Sequence, residues 1–280
     1  MSRVPALAFL TAFTALFAPL SAVLGQNPPL ATAPVPPPPY AFVADLLRTS
    51  PSVIDAVVRS AGGLKPAESP GLAPGFVRLD VTADVLAQIR GSESLPARIN
   101  YLVDVPLDAR GRPPKLKGQR VLLFAVPVAG KPDQVQLIGK RGQQAWTPSF
   151  DARLREIARA LVAPDAPPEI TGIGNVFHVP GSLPGEGETQ IFLTTKDSRP
   201  VSLSVLRRPG EQPRWAVALS EIVDDAAAPP ARDTLLWYRL ACFLPPALPD
   251  RAVQTLGAPD AAAAREDYAL VLKQLGRCER

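Results

Sequence analysis

Proline sets the length of every regular element that this chain can form. There are 34 prolines in 280 residues, more than twice the ordinary usage of about 5%. Each one fixes φ and removes a backbone donor, so helices and central strands must stop at or before it. Most prolines fall in small clusters between periodic segments, and the chain therefore reads as many short elements. One tract differs. Residues 28–39, PPLATAPVPPPP, are low-complexity, and the linker they belong to, residues 26–39, favours polyproline II, a semi-rigid spacer that cannot pack a core.

The segment ahead of this spacer has the pattern of a signal peptide. Arg3 supplies a positive start, residues 4–20 carry no charge, and Val23-Leu24-Gly25 offers a compact exit. Residues 1–25 are expected to be cleaved and the protein exported to the periplasm or cell envelope. Retention as an anchor is the alternative, because residues 4–25 nearly match a bilayer span. No later segment is long and apolar enough to cross a membrane, so no transmembrane helix is expected after cleavage. Export implies an oxidising compartment, where an isolated cysteine pair forms a disulfide. Cys242 and Cys278 are expected to be joined. In the chain-entropy model a loop of this size adds about 3–4 kcal/mol.

Charge excludes one class of partner. Loss of Arg3 changes the net charge from +4 to +3, too little to imply nucleic acid. The basic excess is local: Arg110, Arg112, Lys115, Lys117 and Arg120 share a stretch without acids. This stretch reads as a solvated loop, with contact to an anionic polymer or lipid headgroup as the sharper alternative.

The remainder divides into a first half, residues 40–168, and a second, residues 169–280. Residues 40–60 read as helix. Phe42, Leu46 and Leu47 mark one face; Ser50-Pro51 restarts the helix, and Val53, Ile54, Val57 and Val58 recur at helical spacing. Strands follow. Val77, Leu79 and Val81 alternate with polar residues, as do Ile99, Tyr101, Val103 and Val105, and residues 121–128 suit a central strand. A helix opens at Thr147-Pro148, with Phe150, Leu154, Ile157 and Leu161 as its buried stripe.

In the second half, residues 189–221 read as a three-stranded antiparallel meander turning at Pro209-Gly210. Val201, Leu203, Val205, Trp215, Val217 and Leu219 should face inward. A helix over residues 232–244 and a last helix from Asp260 to Gly276 close the chain. The fold class expected is α+β, with antiparallel β-meanders each followed by a covering helix. Gly91-Ser92 with Leu95-Pro96, and Gly181-Ser182-Leu183-Pro184, precede the two strand sets. This recurrence is compatible with a duplicated sheet-plus-helix unit.

The chemistry is sparse. A single histidine, His178, rules out HExxH, a two-histidine zinc site and a facial triad. There is no phosphate-binding GxxxxGK[ST], no GxSxG, and no serine followed three residues later by lysine. Gly172-Ile173-Gly174 begins like a dinucleotide fingerprint, but Phe177 occupies the position of its last glycine. What remains is His178 with Ser182, Glu186 and Glu188, near one another in sequence only. His178 is expected to be an ordinary strand residue, and no catalytic residue, metal or cofactor is expected. Trp146, placed just before a helix, is the tryptophan available for binding, whereas Trp215 and Trp237 read as core. The expected function is a non-catalytic binding or interaction module with an envelope partner: protein, glycan or lipid headgroup. The alternative is a hydrolase using His178 with Ser182 or Glu186.

Overall fold

The first strands close on themselves. In the computed structural model, which describes residues 36–220 and 228–280, α1 (Tyr40–Thr49) leads into β1 (Ser52–Gly63), β2 (Phe76–Arg90), β3 (Arg98–Pro106), β4 (Arg120–Val128), β5 (Lys131–Leu137) and the short β6 (Gln143–Ala145). Their order is β1-β2-β3-β5-β4, and β4 pairs back onto β1. All these pairs are antiparallel except β3 with β5, which meet in parallel at the single position Asn100–Gln134. This is the connectivity of the five-stranded Greek-key barrel known as the OB-fold. The expected signal segment and most of the proline tract, residues 1–35, lie outside the described residues, as do residues 221–227.

The β1 segment corrects the sequence expectation. Residues 52–63 are a strand, not the continuation of a helix. Ile54, Ala56 and Val58 point into the barrel, while Val53 points outward into a second core. A strand buried on both faces has no polar alternation to display. Its apolar residues then fall at spacings that also fit a helix. The β-branched side chains decide for the strand. β4 has the same two-sided burial, with Val121, Leu123 and Ala125 inside the barrel and Leu122 and Phe124 outside.

The outward residues of β1 and β4 meet a layer of helices. α2 (Pro148–Val162) is capped by Thr147, whose hydroxyl accepts from the Phe150 amide at 3.1 Å. Phe150, Leu154 and Ile157 are buried as the periodicity predicts, whereas Leu161, the last of the expected stripe, is half-buried in the final turn; Phe150 packs on Phe124. α3 (Leu235–Ala241), α4 (Asp250–Val253) and α5 (Ala258–Leu275) complete the helical set. α3 starts three residues later than the periodicity suggests, because Thr234 serves as its cap.

These helices also cover one face of the second sheet. β7 (Ile170–Pro180), β8 (Gly187–Thr195), β9 (Val201–Arg207) and β10 (Arg214–Ala218) form an antiparallel meander in chain order. Val201, Leu203, Val205, Trp215 and Val217 are buried against the helices, and Trp215 donates to Gln274 of α5 at 2.7 Å. Leu219 departs from the expected set: it is 43% exposed, because β10 ends at Ala218. The first strand set closes while the second stays open, so the halves differ in connectivity. One core joins α1, α2, α3, α5, Phe124 and this sheet. Cys242, at the end of α3, is bonded to Cys278, beyond α5, with Cα atoms 5.1 Å apart.

Candidate functional site

The single bridge between β3 and β5 leaves the barrel partly open. Beyond Asn100 the two strands separate, and a groove of about 720 Å³ lies along the seam. Its volume is within the range of ligand sites, roughly 300–1,000 Å³. Leu102, Val103, Val135 and Leu137 supply aliphatic wall, and Leu102 is 49% exposed. Polar groups stand beside them by the pleat of the strands. Arg78 of β2 holds Asp104 of β3 through two bonds of 2.7 and 2.9 Å. That guanidinium keeps the Asp104 carboxyl below its usual range, with Lys140 adding a smaller pull. Asp80 lines the same groove without an ion pair among the described residues. Two cations and two carboxylates thus share the lining, with no net charge. Tyr101 reaches the interior, where burial pushes its phenol upward and its hydroxyl donates to Gln143 at 2.7 Å.

His178 occupies a different place. It sits on β7 opposite Thr189 of β8, and its Nδ1 lies 2.8 Å from the Thr189 hydroxyl oxygen. The Thr189 hydroxyl donates to Asp267 of α5, so the ring must donate to Thr189 through Nδ1–H. Arg207 of β9 donates to the other oxygen of Asp267 and reaches Glu266 at 3.2 Å. Thr189 and Asp267 are fully buried, and the network pins the end of the meander to α5. The ring packs over Gly187, where an added Cβ would come within 3.0 Å of Cε1.

The other members of the constellation do not join it. Glu186 accepts from the amides of Ser182 and Leu183 at 3.0 and 3.2 Å and so closes the β7–β8 turn. Glu188 lies on the opposite, exposed face of the meander, between Val179 and Leu206. No hydrogen bond links His178 to Ser182 or Glu186 among the described residues. Thr189, the direct partner of His178, and Asp267 and Arg207 behind it were missed; a lone aspartate on the apolar face of α5 was the available signal.

The basic run separates into three parts. Arg112 folds back onto Asp108 at 3.0 Å. Arg120 is half-buried and engaged: it grips the buried Asp55 with bonds of 2.9 and 2.7 Å and lies 3.8 Å over the Trp146 ring. Trp146 is therefore half-buried under a cation, with its Nε1 buried and unpaired. Arg110, Lys115 and Lys117 remain exposed on the β3–β4 loop, which Leu116 anchors into the barrel core. No group of three or more His, Cys, Asp or Glu side chains among the described residues could hold a metal ion. No protein-family model matches the chain, and no curated protein is significantly similar to it.

Proposed function

We propose that this protein is an exported, non-catalytic binding module of the periplasm or cell envelope, and that its ligand is an extended peptide segment held in the β3–β5 groove. The observation that carries the reading is the groove's lining: aliphatic wall beside paired and unpaired polar groups, without net charge. Such a surface suits alternating apolar and polar side chains of a partner strand. A polyanion would find no surplus of cations there. The exposed face of β2 and β3 is where barrels of this connectivity take extended polymers, although a fold alone does not assign a function. A glycan is the weaker occupant, because the described residues lining the groove include no exposed aromatic platform. Localisation rests on the predicted signal segment, the disulfide, and the lack of any helix among the described residues that is long and apolar enough to cross a membrane.

Selection from a displayed peptide library against the folded protein tests this reading. Peptides with alternating apolar residues should be enriched, and Leu102→Asp should abolish their binding while leaving the melting curve in place. Enrichment that survives Leu102→Asp, or no enrichment, would refute the groove as the site. Turnover of broad ester, peptide or glycoside panels that vanishes in a folded His178→Ala variant would refute the non-catalytic reading.

A further inference from the structure

A second, smaller cavity lies between the end of β2 and the last turns of α2. Its volume is about 240 Å³, and Ile89, Ala158 and Val162 form apolar wall around Arg90, Arg155 and Arg159. Helical spacing explains the convergence: Arg155, Ala158, Arg159 and Val162 recur at three and four residues and share one face of α2. No carboxylate among the described residues lines this cavity.

The arginines are not equally committed. Arg155 is engaged by Asp151 at 3.0 Å and lies 3.8 Å from Asp55. Asp55 is in turn gripped by Arg120, so those two acids balance those two cations. Arg90 donates through Nη1 to the Leu47 carbonyl, a neutral partner, and its other guanidinium donors stay available. Arg159 makes no hydrogen bond or ion pair among the described residues; Glu156, three residues earlier on α2, is not paired with it. The negative end of the α2 dipole offsets only about half a charge. Among the described residues, two guanidiniums without a carboxylate partner therefore face a cavity whose remaining wall, beside the paired Arg155, is aliphatic. Guanidinium forks match the planar or tetrahedral geometry of carboxylate and phosphate. The cavity is smaller than a drug-sized site of about 300–1,000 Å³, so it admits a head group and a short length of chain. Val162, 77% exposed, stands at its rim where a longer chain would leave.

We infer that this cavity binds an oxyanion attached to an aliphatic chain, with Arg90 and Arg159 on the anion and Ile89, Ala158 and Val162 against the first methylenes. A free alkyl carboxylate or phosphate and an anionic lipid in a bilayer share this chemistry.

The test is calorimetric titration of the full folded chain with octyl phosphate below its micellar concentration, with octanol and inorganic phosphate as controls. A second arm measures co-sedimentation with phosphatidylglycerol vesicles. Octyl phosphate should bind more tightly than either control. Arg159→Gln should weaken it by roughly tenfold or more, as loss of a charged hydrogen bond does, and Arg159→Lys should recover part of the loss. Sedimentation with vesicles, lost in Arg159→Gln while monomeric octyl phosphate stays unbound, would assign the same site to a bilayer headgroup. Absence of binding in both arms, equal binding of octanol, or binding unchanged in Arg159→Gln would overturn the inference. Arg159 is exposed on α2 and its removal leaves the core intact, so the variant folds; Val162→Asp, also at the surface, provides an independent check that should weaken octyl phosphate as well.

Discussion

At the scale of residues, buried polar groups set the sharpest expectations. Asp267 is fully buried and depends on Arg207 and Thr189. Removing one partner of such a pair leaves a charge uncompensated, at a cost of about 3–5 kcal/mol. Arg207→Met is expected near the low end, about 3 kcal/mol, because Arg207 keeps some solvent contact. Urea unfolding measures it, and the double variant Arg207→Met/Asp267→Leu should recover most of the loss. The tyrosines make a pH prediction. Burial raises all four phenols, Tyr40 to about 12, and Tyr101, Tyr238 and Tyr268 further. Unfolded phenols ionise near pH ~10. The folded state thus holds these protons more tightly, and the associated stability is intact below pH ~10 and lost as pH rises through the folded values. Absorbance at 295 nm should show no tyrosine ionising near pH ~10 in folded protein, with the signal rising only as the chain unfolds at higher pH.

Elements differ in how plainly they were written in the sequence. β9 and β10 alternate cleanly because one face meets helices and the other meets water. α2 carries both a hydroxyl cap and an apolar stripe. Leu203, at the centre of β9 and fully buried, should cost about 2–5 kcal/mol when changed to alanine, measured by chemical denaturation with circular dichroism. β1 was illegible for the opposite reason. Its two faces enter two different cores, so nothing in Ser52-Val53-Ile54-Asp55 marks an outside. Even Asp55 is buried, and its closest cation, Arg120, lies 65 residues away in sequence.

The whole molecule is held by two cores and one covalent tie. The barrel interior is filled mainly from its strands, with Leu116 of the β3–β4 loop added, and the helical core draws on segments from α1 to α5. The disulfide joins the ends of α3 and α5 across 36 residues. Its replacement by Cys242→Ser/Cys278→Ser should lower stability by about 3–4 kcal/mol, chiefly by freeing the unfolded chain. Thermal unfolding of the variant beside the oxidised parent measures the difference.

The amino-acid sequence by itself determined the mixed α+β character, the paired cysteines, the buried stripe of α2 and the inward face of β9 and β10. Each follows from local periodicity, capping or cysteine count, which need no knowledge of distant neighbours. Only the tertiary structure decided that β4 returns to β1 and that β3 barely meets β5, because strand pairing joins residues far apart in the chain. The same holds for the candidate sites. The groove exists because a seam was left open, the smaller cavity because a helix end meets a strand end, and His178 meets Thr189 rather than Ser182 because sheet register, not sequence proximity, sets which side chains touch.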